Sequence, residues 1–233
     1  GLTMTVKEAA YDGSRLMVSV IYTGDQEFSK EWTNSGKITI NGQPVKLVGG
    51  QTGQDDIDAK TIIEHHQLTF ANSDEYGDKI EVAVNGENLF GYEGEWKVAF
   101  PLEKVAGEVF EFLPGVRATS SDEVITITAE KVTFSPLATT INVNVDYPVE
   151  LNEDDKWPAF EYKVIDDKGK IYEGLTLQIG MVPGKYGHHI VLTLPPMDTI
   201  PSSFTIKPIS SNSEGIREEV KELELVVPLE KMK

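Results

Sequence analysis

The chain of 233 residues contains no cysteine, which excludes a disulfide framework, a thiol nucleophile and a thiolate metal site. That absence leaves the compartment open. Basic residues are scarce as well: Lys plus Arg number 21 against 38 Asp plus Glu, a formal charge of -17. A surface of that sign repels phosphate backbones and anionic headgroups, so nucleic acid and bare membrane are poor partners. The acidity is spread evenly, with 9 basic and 19 acidic residues up to Phe112 and 12 and 19 after it. Neither half is a charged tail. No apolar run of membrane-spanning length and no signal peptide is visible. Because the chain passes from Gly1 straight into a strand pattern, we expect a fragment of something longer, with any targeting segment upstream. Also missing are the Gly-x-Ser-x-Gly elbow, the P-loop and HExxH, so no recognised catalytic signature is present.

What is present is a phrase used twice. Trp96 to Val105 reads as an alternating apolar strand that runs into Pro101-Leu102-Glu103-Lys104, and Leu223 to Met232 runs likewise into Pro228-Leu229-Glu230-Lys231. The openings repeat too. Leu2, Met4 and Val6 alternate with polar residues, Asp12-Gly13 makes a turn, and Leu16, Val18, Val20 and Tyr22 alternate again. Ile125, Ile127 and Ala129 lead to Phe134, a Ser135-Pro136 turn, and Ile141, Val143, Val145 and Tyr147. Period two with β-branched and aromatic residues is the pattern of half-buried strands, here about seven per half. The expected fold is therefore all-β: two tandem immunoglobulin-like β-sandwich domains, residues 1–106 and 107–233. Val109 to Phe112 reads as the first strand of the second domain; the first domain would then lack its own, which should precede Leu2. The buried sets expected are Leu16, Val18, Val20, Trp96, Val98 and Phe100 in the first and Ile141, Val143, Val145, Leu223, Leu225 and Val227 in the second. Glu214 to Leu223 has helical spacing, enough for one or two turns. A short tether through Ala106-Gly107 predicts domains stacked end to end.

Candidates for chemistry are few. His65-His66 and His188-His189 invite a metal reading, but neighbours in a strand point to opposite faces, so one pair cannot give both rings to one ion. The stretch Gly49 to Asp58 reads as an acidic, glycine-rich loop whose Asp55, Asp56 and Asp58 are weak calcium candidates without EF-hand spacing. Asn152-Glu153-Asp154-Asp155 reads the same way, and a solvated loop is the plainer account of both. A glycosidase needs only two placed carboxylates, and nothing singles out a pair. Trp32, Tyr92, Trp96 and Trp157 could form a sugar-stacking platform, although Trp96 falls on the inward phase of its strand. No cofactor and no catalytic residue is expected.

The segment Gly1 to Leu16 resembles a domain of unknown function, the 4179 type, found in membrane-anchored proteins of Gram-positive bacteria. Ile125 to Thr139 resembles the immunoglobulin-like domain of the 5643 type that follows it there. The resemblance implies an extracytoplasmic region of an anti-sigma-factor-like protein, anchored to the cell membrane by a segment upstream. It implies a non-enzymatic binding or signal-receiving module whose partner is an unknown protein or cell-envelope ligand. Membrane contact would come only through an anchor absent from this chain. A structural or adhesive surface stalk is the alternative, and no catalytic residues carry over.

Overall fold

The computed structural model describes residues 1–28, 36–148, 159–181, 187–211 and 215–229. The chain divides into two units, Gly1–Gly107 and Glu108–Lys233, and every strand pairing in them is antiparallel. The first unit contains β1 (Leu2–Tyr11), β2 (Arg15–Gly24), β3 (Lys37–Ile40), β4 (Gln43–Pro44), β5 (Leu47–Asp58), β6 (Thr61–Phe70), β7 (Lys79–Glu87) and β8 (Glu95–Glu103). They form one sheet in the order β1-β2-β6-β5 and another in the order β4-β3-β7-β8. The second unit contains β9 (Phe110–Phe112), β10 (Val116–Thr119), β11 (Thr126–Phe134), β12 (Thr139–Asp146), β13 (Glu161–Asp166), β14 (Ile171–Tyr172), β15 (Thr176–Met181), β16 (Gly187–Leu194), β17 (Ser203–Ser211), β18 (Arg217–Glu219) and β19 (Leu225–Pro228). Its sheets run β10-β11-β12-β16-β15, with β9 also on β11, and β14-β13-β17-β18, with β19 also on β17. Removing β9, β10 and β18 leaves the same plan twice, with β19 in the place of β8.

The correspondence extends to register. In the first unit Tyr11 faces Leu16 and Val6 faces Val20, with a bulge between Val6 and Glu8. In the second, Phe134 faces Thr139 and Ala129 faces Val143, with a bulge between Ala129 and Lys131. These are the positions that the repeat aligns, so the bulge itself is duplicated. The connecting turns match as well: the Asp12 amide donates to the Arg15 carbonyl at 3.2 Å and the Ser135 amide to the Ala138 carbonyl at 3.0 Å. Asp12 reinforces its turn by accepting the Ser14 and Arg15 amides on Oδ1 at 2.9 and 2.8 Å, the local bonding for which Asp is favoured in turns. Gly13, at φ +91°, supplies the left-handed residue.

Each unit has its own core between its two sheets. Tyr11, Leu16, Val18, Val20, Tyr22, Ile40, Leu68, Phe70, Val82 and Val84 are among the buried residues of the first. Ile127, Ala129, Ile141, Val143, Val145, Leu192, Phe204, Leu223, Leu225 and Val227 are among those of the second. Trp96, Val98 and Phe100 pack on the first core but are only partly buried, contrary to expectation. They lie on β8, an edge strand with one ladder neighbour and β1 close by, as β19 in the second unit has one ladder neighbour and β10 close by.

Two further expectations are corrected. Residues 49–58 belong to strand β5, paired with β6 almost residue for residue. As the last strand of its sheet it tolerates Gly and Asp, and charge along a free edge discourages pairing with other chains. The stretch expected to be helical contributes β18, whose Glu218 faces Ser210 of β17, and one 3-10 turn, Lys221–Leu223. Pairing to a formed neighbour outweighs the weak helical spacing; Glu214 lies outside the described residues. No helix among the described residues is long and apolar enough to cross a membrane.

Candidate functional site

Strand β6 of the first unit carries polar side chains into the core. Its inward residues are Ile62, Glu64, His66, Leu68 and Phe70, all buried, and Glu64 and His66 face Val20 and Val18 across the ladder. His66 Nε2 lies 3.3 Å from Glu64 Oε2, with each side chain 3% exposed. That contact is within ion-pair reach but not aligned as a hydrogen bond, because among the described residues His66 Nε2 has no hydrogen-bond partner. The other ring nitrogen, Nδ1, is 3.2 Å from Thr52 Oγ1 on β5, and the Gly36 amide donates to Glu64 Oε2 at 3.4 Å. Gly36 is needed here, since a Cβ would sit 2.7 Å from Val84 and 2.8 Å from the Tyr22 hydroxyl. The Tyr22 phenol is pushed far above its ordinary value, first by burial and then by the Glu64 carboxylate. In the second unit the residues facing Val143 and Ile141 are Ile190 and Leu192, both buried. Two matched cores thus hold a glutamate and a histidine in one copy and two hydrocarbons in the other.

The outward residue between Glu64 and His66 is His65. Its Nδ1 is 2.9 Å from Ser19 Oγ and its Nε2 is 3.1 Å from Asp55 Oδ2, while Ser19 Oγ is 3.2 Å from Glu8 Oε1. The serine has one proton to give. If Glu8 receives it, His65 donates from both nitrogens as an imidazolium; if His65 receives it, the ring is neutral and donates to Asp55. Serine, imidazole and carboxylate stand in the order of a nucleophile, base and orienting group. They lie on the face of a continuous sheet, however, where neighbouring backbone amides are committed to the ladder instead of converging on a developing oxyanion.

The other residues singled out above are dispersed. Asp56 accepts from the Gln54 amide at 2.9 Å and Asp58 from the Lys60 backbone at 2.8 Å, each apart from the Asp55–His65 contact. Among the described residues no group of three His, Asp or Glu is gathered for a metal ion. The second histidine pair divides as the first does: His188 packs on Tyr147, ring nitrogen to hydroxyl 3.0 Å, and His189 meets Asn144 at 2.6 Å. Burial holds both below the ordinary histidine range, with Glu130 partly opposing it at His189. Of the sugar-platform residues, Trp32 and Trp157 lie outside the described residues, as do Asn152 to Asp155. Tyr92 donates to Asp25 at 3.0 Å and sets its ring edge-on to Phe28. Trp96 donates its indole N–H to the Leu2 carbonyl at 3.0 Å and lines a cleft of about 440 Å³ with Lys37, Asn85, Gly86, Glu87, Glu95 and Lys97. The buried pair escaped the sequence reading, although a signal existed: the phase of Leu68 and Phe70 extends back through His66 and Glu64.

Fold and site together define a tandem all-β sandwich protein with one plan used twice. Residues 111–231 match the family of unknown function DUF5643, and the chain belongs to that family. Its structure is similar to the crystal structure of the conserved domain protein from Bacillus anthracis, with a TM-score of 0.72 and 16% identity over 99% of this chain and 88% of that one. At that identity the likeness is one of fold alone. No curated protein matches the chain.

Proposed function

We propose that the chain is a non-enzymatic binding or signal-receiving module of a membrane-anchored, anti-sigma-factor-like protein, held outside the cytoplasm, with a protein or cell-envelope component as its ligand. The observation that carries this reading is the Glu64–His66 pair in a core whose duplicate uses Ile190 and Leu192. Burying two polar, ionisable side chains costs solvation that their mutual contact often fails to return. A sandwich that only had to be rigid gains nothing from the exchange. The anchor, location and anti-sigma connection rest on the resemblance of Gly1 to Leu16 and Ile125 to Thr139.

The second reading, a surface stalk, is favoured by the duplication itself, since repetition of one rigid fold is what a stalk requires. A thermal-shift screen of cell-wall fragments, peptides and metal ions separates the two, because a ligand that binds the folded state raises its melting temperature. The module reading requires a stabilising ligand whose effect is lost in a Glu64→Ile, His66→Leu variant. A panel that leaves the wild-type midpoint unmoved favours the stalk.

A further inference from the structure

The duplication also exposes a difference on an outer sheet face. The ladders align Ile38, Val84 and Val98 in the first unit and Val164, Ile206 and Leu225 in the second. The neighbouring rows, which turn outward by the period of two, are Lys37, Asn85 and Lys97 in the first and Lys163, Lys207 and Glu224 in the second. In the second unit both ammonium groups are held by the protein's own carboxylates. Lys163 Nζ is 3.1 Å from Glu173 Oε1 and 3.1 Å from Glu219 Oε1, and Lys207 Nζ is 3.0 Å from Glu219 Oε2 and 3.3 Å from Glu224 Oε2. Glu219, which bridges the two, comes from β18, a strand with no counterpart among the described residues of the first unit. There Lys37 and Lys97 are exposed, and among the described residues neither forms an ion pair. One outward row along, Glu87 faces Glu95 across the ladder. These five side chains surround the cleft of about 440 Å³. Its floor is backbone, since a Cβ on Gly86 would point inward to Leu89, 2.3 Å away, and the Trp96 indole reaches in to the Leu2 carbonyl.

We propose that this cleft binds a small zwitterion, its carboxylate between Lys37 and Lys97 and its ammonium at Glu95 and Glu87, with the two charges about 7 Å apart as at the ends of a dipeptide. The carboxylate follows from the comparison: the place that Glu219 fills beside Lys163 and Lys207 is open beside Lys37 and Lys97. Asn85 stands between the two lysines. Its amide donates one N–H to the Lys37 carbonyl at 3.5 Å and keeps a second for the ligand. The ammonium follows from the next row, because carboxylates directly opposed across a ladder repel, and a cation between them removes the repulsion. The spacing follows from strand geometry, since outward rows are two residues apart, about 6.6–6.8 Å. A cleft of about 440 Å³ has the size of a small-ligand site. Two lysines with two glutamates balance to zero, which selects a zwitterion over a polyanion. The inference rests on this cleft and not on the buried Glu64–His66 pair, so either can fail without the other.

The test titrates the dipeptide alanyl-alanine, its N-acetyl form and its C-terminal amide into the isotope-labelled full chain and follows backbone amide shifts by NMR. The free dipeptide is expected to move the amides from Asn85 to Glu87 and from Glu95 to Lys97 saturably, while those of Lys163 and Lys207 stay in place. Each capped form is expected to bind about two- to fivefold more weakly, the scale of one exposed charge pair. Lys37→Gln with Lys97→Gln should erase the preference over the C-terminal amide and keep the preference over the N-acetyl form; Glu95→Gln should weaken only the second preference. The side chains changed are exposed, so the variants keep the fold, and their amide spectra check it. The proposal is overturned by the absence of saturable shifts at this cleft, by capped forms that bind as well as the free dipeptide, or by variants that leave both preferences intact.

Discussion

The two cores repeat strand order, register and bulge, yet at two matched positions one holds Glu64 and His66 and the other Ile190 and Leu192. The difference teaches that this fold does not need the Glu64–His66 pair. A sandwich of the same topology closes over hydrocarbon at those positions, so the polar pair answers to something other than folding. The flanks differ too: in the second unit β9 and β10 pair with the outer side of β11, whereas in the first, among the described residues, β8 stands beside β1 without a ladder, tied to it by Trp96 on the Leu2 carbonyl and by Val105 on the Tyr11 carbonyl.

The largest expected effect breaks the first contrast. Glu64→Ala or His66→Ala alone should destabilise the first unit by about 3–5 kcal/mol, because the remaining partner is left buried and unmatched. Glu64→Ile with His66→Leu, which copies the second core, should be neutral or stabilising by about 1–4 kcal/mol. Urea unfolding with residue-resolved amide exchange assigns each change to its unit. A double variant as unstable as the singles would mean that the pair supports the fold.

The flanks come next. Leu225→Ala, at a residue 1% exposed, should cost about 2–5 kcal/mol through lost burial and a cavity. Its counterpart Val98→Ala, partly exposed, should cost about 1 kcal/mol, since less apolar surface leaves water in the native state. Equal costs would mean that β10 does not seal the second flank.

The turns should differ by less. Asp12→Ala removes the acceptor of two backbone amides and should cost about 1–3 kcal/mol, the penalty for stranded buried donors. Ser135→Ala removes a hydroxyl that accepts the Ala138 amide at 3.3 Å and donates to its carbonyl at 2.8 Å, and should cost about 1 kcal/mol. Chemical denaturation of the two variants checks the ranking.

The smallest effect concerns pH. His188 and His189 are held below the ordinary histidine range in the folded second unit, so the unfolded chain binds protons first as pH falls. Their contribution is complete above about pH 6.5 and is lost as pH drops through that value toward the folded pKa. Melting temperatures of the second unit should fall from pH 7 to pH 5, and a His188→Phe, His189→Gln variant should flatten that slope. An unchanged slope would place the proton uptake elsewhere.

The repeat, the all-β class and the matched hairpins were legible in the residues, because strand alternation and turn chemistry act over a few positions. Leu16, Val18, Val20, Ile141, Val143 and Val145 are buried as their period requires. β5 was hidden, since Gly49 to Asp58 has the composition of a loop and becomes a strand only because β6 offers it a ladder. The buried pair was half visible: its phase was written in the alternation of β6, but polar residues at inward positions are normally read as surface.

What the sequence determined by itself was therefore the local part: period, turns, and the acidity that repels other anions. The tertiary structure alone decided which edges are closed and which ionisable side chains lie inside. Edge closure depends on which strands meet in a ladder, as β10 pairs with β11 while no described strand forms a ladder on the outer side of β1, where β8 lies instead. Burial of Glu64 and His66 depends on a second sheet covering them, and the cost or use of a charge is set by the solvent that the opposite sheet removes.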